Sequence, residues 1–336
     1  MTRLRVVHLV DDTTAGGVMR VIDHITTSPD LARTAAHSVR VVARGSLGIG
    51  RINADVIVSH LSVSWRNLPM FIALRAANAR SSLVHVEHSY TECFVALNVT
   101  HRKRFATLLR TTYALFDRVV AVSHAQGQWL SARGYARADA LHVIQSCTDM
   151  SAFRQLETRK GPVRVIGAIG RLDRQKGFDT LVAAFRNCPH QNIALHIYGE
   201  GSEEETLRRM AQNDERIRFM GFASDPVKAM AAVDAVVMPS RWEAYGLVAI
   251  EALSAGRDLL VNAVDGLKDH EMRGALVVPN PSVRAWRNAI CNLTEASPCD
   301  TPVLDKNRVG DAPEIQFATL WHNLLGSLTA KTVRQF

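Results

Sequence analysis

Three segments of this sequence combine glycines with charged side chains at spacings suited to phosphate chemistry. The first, Gly170-Arg171-Leu172-Asp173-Arg174-Gln175-Lys176-Gly177-Phe178-Asp179, closes an apolar run. A parallel strand of an open sheet delivers its C-terminal end to the binding crevice. Arg171 and Lys176 can converge there on one anion, with Gly177 turning the chain into a helix that begins near Asp179. Two fixed cations suit a diphosphate leaving group, whose charge grows as its bond to a sugar breaks. A pair of solvated surface charges is the plainer alternative.

The second segment is Pro239-Ser240-Arg241-Trp242-Glu243-Ala244-Tyr245-Gly246-Leu247-Val248-Ala249-Ile250-Glu251. Glu243 falls on a loop after a strand, and Glu251 in the second turn of a helix starting around Gly246. Amides of Gly246, Leu247 and Val248 would project from that helix end toward phosphate. A carboxylate among Leu247, Val248, Ile250 and Leu253 is costly unless something satisfies it. Ribose hydroxyls would do so; an Arg partner from the core is the alternative. The third segment, residues 11–20, places Gly16 and Gly17 between the first strand and a helix. Glycines let backbone approach a ligand there, although a tight turn needs nothing more. Adjacent glycines are not the spaced G-x-G-x-x-G dinucleotide fingerprint, which disfavours a dehydrogenase.

These loops need strands behind them. Val/Ile-rich runs at 5–10, 39–43, 55–59, 83–87, 118–122 and 141–144, then at 164–170, 193–198, 216–220, 235–238, 258–262 and 275–278, alternate with helical stretches. That is the pattern of βαβ units and parallel sheets. Nearly continuous apolar character suits strands covered on both faces. The polar stretch at 157–162 precedes a fresh strand that ends in glycine, so the expected boundary separates residues 1–160 from 161–336. Residues 295–313 read as a loop, and an amphipathic helix over 314–328 ends the chain, packing back on the N-terminal domain or wherever is nearest.

A chain of 336 residues is comfortable for two domains. No apolar run approaches the ~20 residues of a membrane span, and the start has no secretory leader pattern, so a cytoplasmic location is expected. The five cysteines are scattered, without metal-ligand spacing. Residues 1–160 carry 20 Lys and Arg against 11 Asp and Glu, whereas 161–336 carry 20 against 21; the basic excess lies wholly in the first half. A one-sided basic surface wants an anionic partner. Arg102, Lys103 and Arg104 open an amphipathic helix that could lie on the anionic inner face of a membrane. A solvated face over a core-facing stripe is the alternative. Nucleic acid is not expected, since the cluster lacks interleaved aromatics and a recognised binding module.

The segments at 170–179 and 239–253 resemble the two most recognisable motifs of glycosyltransferase family 4 (group 1) on the GT-B fold. Gly199-Glu200-Gly201 resembles that family's loop near the nucleotide base, and Val119-Val120-Ala121-Val122-Ser123 its end-of-strand serine. The resemblance implies an α/β architecture of two doubly wound, Rossmann-like domains facing across a cleft. It implies that Arg171 and Lys176 hold a donor diphosphate, Glu251 the ribose, and Glu243 the transferred sugar. Gly16 and Gly17 would approach the donor from the other domain, and His88, in His85-Val86-Glu87-His88-Ser89, would lie beside the anomeric carbon. The family's reaction retains anomeric configuration and needs neither metal nor cofactor. The substrate would be a UDP- or GDP-linked hexose and the acceptor a glycan or lipid-linked molecule, in bacterial surface polysaccharide or glycolipid synthesis. Departures occur at Gln145-Ser146-Cys147-Thr148-Asp149 and at Gly256-Arg257-Asp258, neither of them an implied diphosphate residue. A degenerate, scaffolding relative and a nucleotide-sugar epimerase remain the alternatives.

Overall fold

The computed structural model describes residues 3–14, 16–46, 48–159, 161–295 and 312–333, with side chains to Leu328. The loop expected over 295–313 falls almost wholly on 296–311 and so lies outside the described residues, as does Cys299. Among the described residues twelve strands form: β1 Leu4–Val10, β2 Ala35–Val41, β3 Val56–Ser59, β4 Ser82–Glu87, β5 Arg118–Ala121, β6 Leu141–Val143, β7 Val165–Ile169, β8 Ala194–Tyr198, β9 Ile217–Gly221, β10 Ala235–Met238, β11 Asp258–Asn262 and β12 Leu276–Val278. They make two six-stranded sheets, in the orders β2-β1-β3-β4-β5-β6 and β12-β11-β10-β7-β8-β9. Every pairing is parallel.

The short central strands β3, β5 and β10 are buried at every position, which is why their sequences read as unbroken apolar runs. The edge strand β2 is different. It begins four residues before the expected 39–43, because its Ala35-Ala36-His37-Ser38 start pairs with Leu4–Val7 of β1. An edge strand with most residues exposed carries little apolar signal.

The chain forms two compact units, Met1–Thr148 with Gly310–Phe336, and Asp149–Val309. The short helix Ser151–Arg154 contacts the second unit's helices Pro226–Ala231 and Leu247–Ser254, so the second unit begins ahead of the polar stretch at 157–162. The last helix, Pro313–Val333, belongs to the first unit. His322 Nε2 meets the carbonyl of Asp30 at 3.1 Å, and Trp321 lies edge-on to His8. Each unit has its own core. The first is built around Leu9, Ile57, Phe71, Leu83 and Val119, the second around Ile166, Phe185, Leu195, Val237 and Trp286. Cys188 and Cys291, distant in sequence, bring their sulfurs to 3.2 Å in the second unit.

Candidate active site

In the second sheet the chain leaves β7 toward β8 and β9, then returns to β10 on the other side and continues to β11 and β12. The switch of direction falls between β7 and β10, the place where ligands bind in open parallel sheets. The segments after these two strands are 170–177 and 239–246, two of those singled out for their chemistry.

They are stitched together by backbone and side chain. Arg241 N donates to Gln175 O at 2.8 Å, Arg241 Nη1 to Arg174 O at 2.7 Å, and Gln175 Nε2 to Trp242 O at 3.1 Å. Arg241 Nη2 also pairs with Asp179 at 2.6 Å; burial raises that carboxyl's pKa, and Arg241 together with backbone N–H groups of Thr180 and Asp179 outweighs it and holds the group below its ordinary value. Gly177 sits at φ 67°, and a Cβ there would collide with the carbonyl oxygen of Pro239. Glycine is therefore needed twice over, for its left-handed backbone and for the close approach.

The pairing at the centre is between Lys176 and Glu243. Lys176 Nζ donates to Glu243 Oε2 at 2.6 Å, with the two side chains only 15% and 13% exposed. Ser240 Oγ donates to the same oxygen at 3.3 Å. The Glu243 backbone is bracketed as well: its N–H donates to Asp265 Oδ2 at 3.3 Å, and its carbonyl accepts from Gly266 N at 3.0 Å. A short, charge-assisted bond of this kind is strong and holds both loops in one register.

Arg171 stands apart from this pair. Its side chain is 74% exposed, pairs with Asp173 at 3.2 Å and donates to Gln175 Oε1 at 3.2 Å. The two cationic groups thus hold different carboxylates, while the Lys176 backbone N–H donates to Asp173 Oδ1 at 3.3 Å, so that Asp173 ties the two residues together. Glu251 is 1% exposed, in the helix Leu247–Ser254. Gly246 caps that helix at φ 89°, so Gly246, Leu247 and Val248 do form its first turn. Gly199, at φ 140°, presses its backbone against the carbonyl of Gly170. Leu172 N donates to Glu200 O at 2.9 Å, so the loop at 199–201 lies against the start of the Arg171 loop.

One residue that the spacing argument missed supports all this from beneath. Asn262, at the end of β11 and 1% exposed, donates from Nδ2 to Pro239 O at 2.8 Å and Ser240 O at 3.0 Å. Its Oδ1 accepts from Trp286 Nε1 at 2.8 Å. A lone polar residue closing the run Asp258-Leu259-Leu260-Val261-Asn262 was the available signal.

In the first unit, Gly16 caps the helix Gly17–Thr27 with an extended backbone at φ −165°. A Cβ there would make only ordinary contact, at 3.7 Å with Thr14 O, so the fold itself does not demand glycine. Ser123, which resembled an end-of-strand family serine, caps the helix His124–Ala132 by accepting from Gln126 N. His88 follows β4, and its Nε2 meets His60 Nδ1 at 2.8 Å. Burial pushes its pKa down to about 4 despite the neighbouring Glu87. His85, three residues earlier, instead lies 3.5 Å from Glu87 and beside Phe116 in the core.

Arg102, Lys103 and Arg104 are exposed at the start of the helix Arg102–Tyr113. Leu108, Leu109 and Tyr113 of that helix are buried in the first unit's core. Its apolar stripe is spent on the fold, and its charges face outward together with Thr107 and Thr111. Among the described residues, no group of three or more His, Cys, Asp or Glu is placed to hold a metal ion, and no helix is long and apolar enough to cross a membrane.

Residues 163–296 match the family model described as Glycosyl transferases group 1. An uncharacterized glycosyltransferase of Methanocaldococcus jannaschii is 35% identical over 133 residues, which are 37% of this chain and 34% of that protein. The chain thus spans about a third of the length of that curated relative. Whole-chain likeness comes from structure. A sucrose-phosphate synthase from Thermosynechococcus elongatus superposes with a TM-score of 0.72 at 19% identity, covering 99% of this chain and 100% of that one. The Anabaena protein HepE, in complex with UDP and glucose, gives 0.70 at 18% identity, covering 98% and 100%. At such identities these two show the fold, a GT-B pair of parallel α/β sheets.

Proposed function

We propose that this chain is a glycosyltransferase that moves a hexose from a UDP- or GDP-linked donor to a glycan or lipid-linked acceptor. The observation that carries the reading is the part-buried Lys176–Glu243 pair across the switch between β7 and β10. A cation and a carboxylate side by side at that position suit a diphosphate and the sugar attached to it. The match of residues 163–296 to a glycosyl transferase family supports it.

In this reading Lys176, joined by Arg171, neutralises the charge that grows on the diphosphate as the sugar leaves. Arg171, with its side chain 74% exposed, can turn from Asp173 toward the diphosphate. Glu243, relieved of part of its bond to Lys176, accepts hydrogen bonds from sugar hydroxyls. Glu251 takes the ribose, Gly199 and Glu200 border the base, and the amides of Gly246, Leu247 and Val248 face phosphate. From the first unit we assign Gly16, Gly17 and His88 to the donor. Two protein cations make a metal unnecessary for leaving-group stabilisation, and front-face attack would retain the anomeric configuration. A role in surface polysaccharide or glycolipid assembly, with the enzyme peripheral on an anionic membrane, would engage Arg102, Lys103 and Arg104 through charge alone.

Thermal melts with UDP and GDP test the donor site. A ligand at about 100 times its Kd adds about 2.7 kcal/mol, enough to raise Tm by a few degrees. A rise with one of them, followed by release of that nucleotide from its sugar conjugate when acceptor extracts are added, is the expected result. No rise with either would overturn the reading, and binding without turnover would leave a scaffold. For the membrane, binding to vesicles containing anionic lipid should fall when Arg102, Lys103 and Arg104 are changed to Gln together.

A further inference from the structure

Four histidines lie in hydrogen-bonded sequence across the first sheet. His37 is on the edge strand β2, His8 on β1, His60 just after β3 and His88 just after β4, following the sheet order β2-β1-β3-β4. In the strand register, His8 is opposite Val39 and Val58. His37 lies two residues before the first of these and His60 two residues after the second. A shift of two keeps a side chain on the same face of the sheet, so the imidazoles meet in a diagonal row.

The contacts are His37 Nδ1 to His8 Nε2 at 3.0 Å, His8 Nδ1 to His60 Nε2 at 2.9 Å, and His60 Nδ1 to His88 Nε2 at 2.8 Å. Every contact joins the Nδ1 of one ring to the Nε2 of the next. A neutral imidazole carries one N–H and one lone pair. The row therefore has only two consistent arrangements: all four protons on Nδ1, or all four on Nε2. Burial keeps the rings neutral, with His8 pushed down to about 3, His37 and His88 to about 4, and His60 well below its ordinary value.

The far end decides between the two. His37 Nε2 is buried and has no hydrogen-bond partner among the described residues. With protons on Nε2, that end would be a buried N–H with no acceptor, the rarer and costlier defect. With protons on Nδ1, it is a single unused lone pair. The His88 end imposes no opposite choice, since His88 Nδ1 makes no hydrogen bond among the described residues.

We propose that His37, His8 and His60 are positioning residues that hold His88 as a neutral ring with its proton on Nδ1, offering substrate a hydrogen-bond donor rather than a base. Such a donor fits a hydroxyl or anionic oxygen of the sugar diphosphate. The role in transfer rests on the assignment of His88 to the donor; the tautomer itself does not. The tautomer is set some way off, at the sheet edge, by a residue with no expected contact to substrate.

Long-range proton–nitrogen spectra of protein labelled with nitrogen-15 histidine at pH 7 read the tautomer directly, with His88→Gln and His37→Gln variants to assign signals. The expected pattern is Nδ1–H for all four rings; Nε2–H or a charged ring at His88 overturns the proposal. His60→Phe severs the row next to His88. The His88 signal should then become a mixture of tautomers, and turnover of the donor identified above should fall at least about tenfold with its KM changed less than about twofold. A His88 that stays wholly Nδ1–H in this variant overturns the relay. Should His60→Phe not fold, His37→Phe, at the part-buried edge, makes the same test. The two readings fail separately: absence of nucleotide binding removes the proposed function and leaves the spectra to decide the relay, whereas a wrong tautomer removes the relay whatever the nucleotide does.

Discussion

At the scale of single residues, Lys176 and Glu243 are one pair in the structure but serve different groups in the proposed reaction. Their substitutions should therefore separate. Lys176→Met keeps the apolar stem and removes the charge, so the Tm rise produced by UDP or GDP should vanish; a preserved rise would remove Lys176 from the diphosphate. Glu243→Gln keeps an acceptor for Ser240 and Lys176, so nucleotide should still raise Tm while transfer falls at least about a hundredfold. Asn262 makes a third case, with no expected contact to substrate. Asn262→Ala removes both bonds that tether Pro239 and Ser240 and leaves the buried Trp286 Nε1 without its acceptor. An unsatisfied buried donor costs about 1–3 kcal/mol, and urea unfolding at fixed m-value should show a loss in that range.

At the scale of elements, the loops after β7 and β10 work as one unit because their backbones touch. Gly177→Ala must push the Pro239 carbonyl aside and strain a left-handed residue. We expect it to lower Tm and weaken nucleotide binding together. Gly16→Ala meets neither obstacle, with its extended backbone and open surroundings; its Tm should stay within about a degree of wild type, and any loss in transfer then reports approach of a ligand. The strands themselves were legible in sequence wherever they are central, as at Ala235-Val236-Val237-Met238, because burial on both faces demands apolar residues throughout. The edge strand β2 was misplaced because solvent relaxes that demand, and with it went His37. Pairing with β1, not composition, makes Ala35–Ser38 a strand.

At the scale of the whole molecule, buried neutral histidines make stability depend on pH. His8, His37, His88 and His270 all have pKa values pushed down by burial, to between about 3 and about 4. The unfolded chain, with histidines near 6.5, takes up protons first as pH falls, so stability rises with pH across this range. It is complete above about pH 6.5 and is lost progressively toward pH 4, at about 1.4 kcal/mol per pKa unit for each independent group. Melts at pH 7 and pH 5 should differ by several degrees or more, and equal Tm values would show that these rings are already charged or hydrated. By itself the sequence determined the class of the molecule. Twelve strand-like runs and their glycine-ended loops prescribe two parallel sheets, and the types at Arg171, Lys176, Glu243 and Glu251 are the basis of the proposed sugar-diphosphate site. Such signals are local: strand burial, turn geometry and charge are written within a few residues. Only the tertiary structure decided which of these groups meet. The bond from Lys176 to Glu243 spans 67 positions, Asn262 reaches back to Pro239, and four histidines on or just after four strands fall into one row. Those distances are closed by strand order and register, and no spacing along the chain encodes them.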